Sequence, residues 1–179
     1  MGSTAVEAVK AMSPVIREEV PSDAAAIHAL TAAAFLEAPH TAHTEQFIVD
    51  ALRKAGALSL SLVAEQGGAL VGHVALSPVT ISDGTTGWYG LGPISVRPER
   101  QRMGIGSLLM RAAIRLLRER GAAGCLLVGD PGYYSRFGFK PEPGLVLPDV
   151  PPEYFQALPL SHSMPRGVVT FHEAFTAQG

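Results

Sequence analysis

The stretch from Gly90 to Ser107 constrains the fold most, because it reads as a strand, a short loop and the start of a glycine-rich helix. Gly90, Gly92 and Pro93 weaken the hydrogen-bond ladder of that strand, since proline donates no backbone hydrogen bond. A bulge at this point would separate the strand from a parallel neighbour and leave backbone groups unpaired in a cleft. An extended ligand that carries amides could pair with those groups as an added strand.

The glycine-rich helix start predicts an anion site. The first N–H groups of a helix have no partner within the helix and carry positive partial charge. Gly104 and Gly106 place no side chain in front of these groups, so a phosphate can approach the backbone. The dinucleotide fingerprint needs a third glycine where this chain has Leu109, and the mononucleotide P-loop needs a lysine where Ser107 stands. A pyrophosphate held by backbone amides without a metal remains open.

Upstream of this stretch, apolar periodicity predicts helices and an antiparallel meander. A short strand at 15–17 comes first, and two helices follow it, ending before Pro39 and near Gly56. Glycine-containing turns at 66–68 and 82–84 predict hairpins. These turns join three strands, which we place at 58–65, 70–79 and 86–96.

Downstream, the pattern predicts a strand–helix–strand unit. Residues 101–121 read as one amphipathic helix, and the apolar run at 124–128 is typical of a strand buried on both faces. A right-handed crossover places this strand parallel to the one before the helix. A short helix from Asp130, a short strand at 145–147 and a last strand at 168–175 complete the predicted elements. The apolar stripe of the long helix comprises Ile105, Leu108, Leu109, Ala112 and Leu116.

Two segments together resemble a known family. The sequence QRMGIG begins at Gln101, and YSRFGF begins at Tyr134 after the next strand. The pair resembles the GNAT superfamily of acyl-CoA-dependent N-acetyltransferases, and within it a bacterial YhbS-like subgroup, over nearly the whole chain. The resemblance implies an α/β (α+β) GNAT acyl-CoA N-acyltransferase fold, with a mixed, mostly antiparallel sheet, a splayed parallel strand pair and flanking helices.

The resemblance also implies roles for individual residues. Acetyl-CoA would be the acyl donor, with no metal, and Tyr134 would be the general acid that protonates the departing thiolate, although Tyr133 could face the sulfur instead. Asp130 stands where many relatives have an asparagine that contacts pantetheine. The backbone at 94–96 would pair with the pantetheine arm, and the amides of 101–107 would bind the pyrophosphate. The expected coenzyme-binding residues are Ile94, Ser95, Val96, Gln101, Arg102, Met103, Gly104, Ile105, Gly106, Ser107, Asp130, Tyr133 and Phe137.

The chemistry of amide formation adds a requirement for a base. A lysine-like amine with a pKa of ~10.4 is almost fully protonated at pH 7 and cannot attack a thioester. A base must therefore remove a proton, directly or through water. Five side chains are candidates for this role, and the sequence singles out none of them: His40, His43, His73, His172 and Glu45.

Composition restricts partners and compartment. The formal net charge of −2 gives no basic excess that would attract nucleic acid or an anionic membrane. The single cysteine, Cys125, excludes a disulfide framework within the chain and fits a reducing, cytoplasmic compartment. We expect a disordered tail at 1–13 and one GNAT domain at 14–179.

The acceptor and the assembly stay open at this stage. The acceptor, a small-molecule or peptide amine, would bind between the loop at 37–43 and the proline-rich segment at 141–166. Alternatives are a non-catalytic acyl-CoA sensor with the same fold, and an enzyme that uses another acyl group or an alcohol acceptor. An apolar cluster could form a homodimer seam or cover the sheet. Its members are Tyr154, Phe155, Leu158 and Leu160.

Overall fold

The computed structural model describes residues 4–5, 7–8 and 12–179, so most of the tail expected at 1–13 lies outside the described residues. The strands are β1 Val15–Glu18, β2 Leu60–Gln66, β3 Ala69–Pro78, β4 Thr80–Ile81, β5 Trp88–Val96, β6 Gly124–Val128, β7 Lys140–Pro141, β8 Leu145–Val146, β9 Phe155–Pro159 and β10 Gly167–Thr170. From residue 12 onward, the α-helices are α1 Ala24–Phe35, α2 Glu45–Lys54, α3 Ile105–Glu119 and α4 Pro131–Tyr134.

Seven strands form the main sheet, in the order β1-β2-β3-β5-β6-β9-β7. Every neighbouring pair is antiparallel except β5 and β6, which run parallel. The expected mixed, mostly antiparallel sheet is therefore confirmed. Helix α3 packs on the face that carries Leu62 and Leu76, and α1 and α2 cover the opposite face over Val63 and Ala75.

Both turns of the predicted meander form, but the strand between them differs from expectation. Gly67 and Gly68 both adopt positive φ and join β2 to β3. The turn at 82–84 also forms, with the Gly84 N–H donating to the Ile81 carbonyl at 2.9 Å. The strand before it is interrupted, however, because β4 leaves the main sheet and pairs with β10. The small second sheet that results has the order β4-β10-β8.

Strand β5 contains the predicted bulge and separates from β6. Val74 lies opposite Ile94, and Leu76 lies opposite Leu91, so Gly92 and Pro93 share one position across from β3. Pairing between β5 and β6 covers only Trp88–Gly90 and stops where the bulge begins. The splayed parallel pair is therefore present at the position where the sequence predicts it.

The long helix begins later than expected. Gly104 has a φ of 84° and Arg102 a φ of 65°, so the backbone before Ile105 is not helical and the prediction of a helix from Gln101 is wrong. The apolar stripe differs as well: Leu108 is 43% exposed. Leu116 is only partly buried. The buried residues of α3 are Ile105, Leu109, Met110, Ala112, Ala113 and Leu117.

The C-terminal third differs most from expectation. Two members of the apolar cluster, Phe155 and Leu158, lie in β9, which pairs with β6 inside the main sheet, and both are buried within the chain. The strand predicted at 168–175 is wrong beyond Thr170, because the His172 Nδ1 accepts the Ala174 N–H at 3.0 Å and starts a 3-10 turn. That turn docks on α2. No helix in the described part of the chain is long and apolar enough to cross a membrane.

Candidate functional site

A cavity opens at the N-terminal end of α3, where the sequence predicts an anion site. Its volume of about 370 Å³ lies within the ~300–1,000 Å³ range of small-molecule sites, and we name it the anion cavity. Gly104 adopts a left-handed φ that turns the chain into α3, and no atom lies within 4 Å of where its Cβ would be. The backbone is therefore open to a ligand. The lining residues are Val96, Arg100, Gln101, Arg102, Gly104, Ile105, Gly106, Ser107, Tyr133 and Arg136.

Three arginines, Arg100, Arg102 and Arg136, line the anion cavity and make it positive. Arg100 has its Nε and Nη1 atoms buried without a hydrogen-bond partner, which is costly for a charged group unless an anion binds there. The Arg136 guanidinium lies 4.6 Å from the centre of the Tyr133 ring. Tyr133 in turn shares a hydrogen bond of 3.2 Å with the Ser107 hydroxyl. The residues present therefore fit a phosphate group.

The gap between β5 and β6 exposes backbone groups at its edge. The Arg97 N–H donates to Val71 on β3 at 2.9 Å. Because alternate residues of an antiparallel strand bond to the same neighbour, Ser95 also faces β3, whereas the backbone groups of Ile94 and Val96 face β6. The Val96 carbonyl accepts instead from the Gln101 side chain at 3.1 Å. Ile94 lies beyond the last pairing of β5 with β6, so its amide opens into the gap.

A second cavity lies at the bulge of β5, and we name it the bulge cavity. Its volume is about 460 Å³, and Ile94 lines it while Val96 lines the anion cavity. The two cavities therefore lie along one strand edge. The lining residues of the bulge cavity are Phe35, Glu45, Ile48, Leu91, Gly92, Pro93, Ile94, Val128, Tyr134, Leu147, Phe171 and Phe175.

Tyr134 reaches the bulge cavity from α4. Asp130 caps this helix by accepting the Gly132 N–H at 2.9 Å. The Tyr134 ring packs against Gly129, where any Cβ would meet the ring carbons. Burial, and then the nearby Tyr133 and Asp130, raise the pKa of Tyr134 to about 12. The phenol is therefore protonated, and able to donate a proton, throughout the neutral range.

Glu45 provides the carboxylate of the bulge cavity. It is the first residue of α2, and its Oε1 accepts a hydrogen bond from the Thr41 hydroxyl. Its Oε2 is buried and has no hydrogen-bond partner. One carboxylate oxygen is thus held in place and the other is free for a ligand.

The histidine candidates do not line the bulge cavity. His73 is fully buried beneath α1 and α2, where its Nε2 hydrogen-bonds the Ser61 hydroxyl at 2.8 Å, and burial lowers its pKa to about 4. His43 contacts the Phe35 carbonyl at 3.0 Å, and His172 caps the C-terminal 3-10 turn. Of the five base candidates, the structure brings Glu45 alone to the described lining of this cavity.

The expected coenzyme residues divide between the two cavities and their supports. The Ser95 side chain is buried on the face away from α3, and Met103 is 47% exposed outside the anion cavity lining. Asp130 acts as the cap of α4. Phe137 lies under the Arg111 guanidinium at 5.3 Å and packs beside α3. The side chains of these four residues line neither cavity.

Sequence reasoning missed two of the three arginines of the anion cavity, Arg100 and Arg136, and the aromatic walls of the bulge cavity. Arg136 carries a local signal, since it lies three residues after Tyr133 in one helical turn and so shares its face. Arg100 stands in the loop just before the glycine pattern. Phe171 and Phe175 carry no local signal, because only the docking of the C-terminal segment brings them to β5 and α2.

Known proteins resemble this chain in sequence and in fold. The model of the acetyltransferase (GNAT) family matches residues 24–139. The uncharacterized N-acetyltransferase YhbS of Escherichia coli (strain K12) is 36% identical over 127 residues, which are 70% of this chain and 73% of the relative. A GNAT family acetyltransferase from Brucella melitensis, whose crystal structure was solved in complex with acetyl-CoA, has 50% sequence identity to this chain. The two structures superpose with a TM-score of 0.81 over 90% of this chain and 97% of the other. Escherichia coli YhbS in complex with CoA superposes with a TM-score of 0.83 at 32% identity, over 94% and 95% of the two chains.

Proposed function

This chain belongs to the acetyltransferase (GNAT) family, and from that premise we propose that it transfers an acetyl group from acetyl-CoA to a primary amine by direct attack in a ternary complex. One observation carries the proposal. The edge of β5 that is free of β6 joins the positively charged anion cavity to a second cavity that holds a carboxylate and a phenol. Solved relatives with acetyl-CoA and with CoA support the same donor.

The anion cavity would hold the pyrophosphate. The N–H groups at the start of α3 donate to it, and Arg100 and Arg136 neutralise its charge. The pantetheine arm would follow the gap between β5 and β6 as an added strand, with the free backbone groups of Ile94 and Val96 as its partners. This arrangement places the thioester in the bulge cavity.

Side chains of the bulge cavity would carry the proton transfers. The free Glu45 oxygen attracts the acceptor ammonium and takes the proton that frees the nitrogen for attack. The Ile94 N–H stabilises the charge that develops on the carbonyl oxygen as the C–N bond forms. When the C–S bond breaks, the Tyr134 hydroxyl donates its proton to the sulfur, and the second nitrogen proton restores the phenol through solvent. Glu45 releases the first nitrogen proton to solvent, so one proton leaves in each turnover. The products are the acetylated amine and the free thiol.

Steady-state kinetics of thiol release test the proposal. Varying acetyl-CoA at several amine concentrations should give intersecting double-reciprocal lines, as attack in a ternary complex requires, whereas parallel lines would indicate an acyl-enzyme. Glu45→Gln should lower kcat by ~10²–10⁴-fold while acetyl-CoA still binds. Glu173→Gln, at an exposed glutamate of the C-terminal turn, is the matched control. Acetyl-CoA binding without thiol release from any amine would instead support a non-catalytic sensor.

A further inference from the structure

The chemistry of the bulge cavity restricts the acceptor that it can take. Most of its lining is apolar, and the walls come from three separate parts of the chain: Phe35 of α1, Ile48 of α2, and the pair Phe171 and Phe175 near the C-terminus. Its volume of about 460 Å³ lies within the ~300–1,000 Å³ range of small-molecule sites. The cavity is therefore large enough for the acyl end of the donor and an apolar acceptor.

Charges in this cavity are few and of one sign. Glu45 is the single ionisable group besides Tyr134 in the described lining, which includes no lysine, arginine or histidine. The buried, unpartnered Oε2 of Glu45 can bind one ammonium group. A carboxylate on the acceptor would be desolvated with no cationic partner, and a second ammonium would lack a second anion.

The aromatic wall is built into the sheet. The Phe171 ring lies so close to β5 that a Cβ at Gly90 would be 2.7 Å from its Cδ1. The Phe171 and Phe175 ring centres are 5.1 Å apart, and Phe175 packs against α2. Both rings are thus held from two sides, which gives a fixed apolar surface rather than an adaptable one.

We infer, resting on the proposed function, that the acceptor is a primary amine with one positive charge, attached to an aryl or alkyl group that bears no other charge. Its ammonium would lie at Glu45, and its apolar group would pack against Phe171 and Phe175. Amino acids, polyamines and lysine side chains of charged peptides do not fit this description.

A matched panel of amines tests the inference by thiol release from acetyl-CoA. Phenethylamine and phenylalanine share the aryl group and differ by a carboxylate, and hexylamine and hexamethylenediamine differ by a second ammonium. Ethylamine lacks the apolar body, and a blocked lysine-containing peptide represents the peptide class. We expect kcat/KM for phenethylamine to exceed that for phenylalanine by ~10²-fold or more, since the carboxylate is buried unpaired. Hexylamine should exceed both hexamethylenediamine and ethylamine.

A variant separates the aromatic wall from general damage. Phe171→Ala should lower kcat/KM more for phenethylamine than for ethylamine, because only the larger amine reaches the ring. Val168→Ala, at an exposed side chain of β10, should change neither value.

The outcomes distinguish this inference from the function on which it rests. Equal or faster thiol release with phenylalanine, hexamethylenediamine or the peptide would overturn the inference and leave the acetyltransferase function in place. An equal effect of Phe171→Ala on both amines would also overturn it. Thiol release with none of the amines would contradict the proposed function and the inference together.

Discussion

Replacing Gly129 with alanine tests whether the position of the Tyr134 phenol sets the rate. A Cβ at Gly129 would lie 2.8 Å from the Tyr134 Cδ2 and closer still to Cε2, whereas ordinary van der Waals contact begins at 3.4 Å. The backbone of Gly129 cannot yield easily. Its N–H donates to the Tyr154 carbonyl at 2.9 Å, and its carbonyl accepts from the Gln156 side chain at 3.0 Å. The ring of Tyr134 must therefore move.

The expected loss follows from the size of this movement. Relieving the contact at Cδ2 alone takes 0.6 Å, and Cε2 needs more, so the hydroxyl shifts by about 1 Å. A misplacement of ~1 Å in a reacting group can lower the rate by ~10²-fold. Gly129→Ala should therefore lower kcat by ~10²-fold and leave the affinity for acetyl-CoA nearly unchanged. Steady-state thiol release and thermal unfolding with acetyl-CoA measure the two effects.

A double-mutant cycle with Tyr134→Phe makes the test specific. If the alanine acts by moving the hydroxyl, it has little further effect on kcat once that hydroxyl is absent. Gly144→Ala is the control. Its Cβ would meet the Arg166 side chain at 3.1 Å, and this arginine is exposed and distant from Tyr134 in the sequence. Unchanged kcat in folded Gly129→Ala, or additive losses in the double variant, would refute the role of Tyr134.

Three further predictions concern the anion cavity and the titrating groups. Gly104→Glu should abolish the thermal shift with acetyl-CoA, because the carboxylate enters the anion cavity; Gly84→Glu, with the same φ of 84° in a distant turn, should retain the shift. Burial lowers the pKa of His73 from 6.5 to about 4, so the free energy of unfolding should fall by about 3 kcal/mol as the pH drops from 6.5 to 4. His73→Gln should remove this fall, whereas His162→Gln, at an exposed site, should retain it. An equal fall in His73→Gln would contradict the prediction. Because the pKa of Tyr134 is raised to about 12, kcat should not decline between pH 8 and 10, and a decline that Tyr134→Phe removes would argue against this assignment.

The elements of the site that depend on local chemistry could be predicted from the sequence. Gly92 and Pro93 predict a bulge because proline donates no hydrogen bond, and the structure has the bulge and the splayed pair there. The glycine pattern predicts an open helix N-terminus, although the left-handed φ of Gly104 moves the helix start to Ile105. These features need no information from distant parts of the chain.

The elements that were missed depend on contacts between distant segments. Strand β9 is only five residues long, and prolines precede it and end it. It forms because it pairs with β6 on one side and with β7 on the other. The segment after Thr170 alternates like a strand, but Phe171 turns toward Gly90 and the chain continues as a 3-10 turn on α2. Glu45 was one of five equal candidates for the base, and only the folded chain separates it from the histidines.

The crystal structure of the complex with acetyl-CoA tests the central claim most directly. The account predicts the pyrophosphate within hydrogen-bond distance, ~2.7–3.2 Å, of the N–H groups that open α3. It also predicts the thioester carbonyl at the Ile94 N–H and the Tyr134 hydroxyl beside the sulfur. A pyrophosphate bound outside the anion cavity, or a sulfur that lies next to Tyr133 and away from Tyr134, would contradict the account.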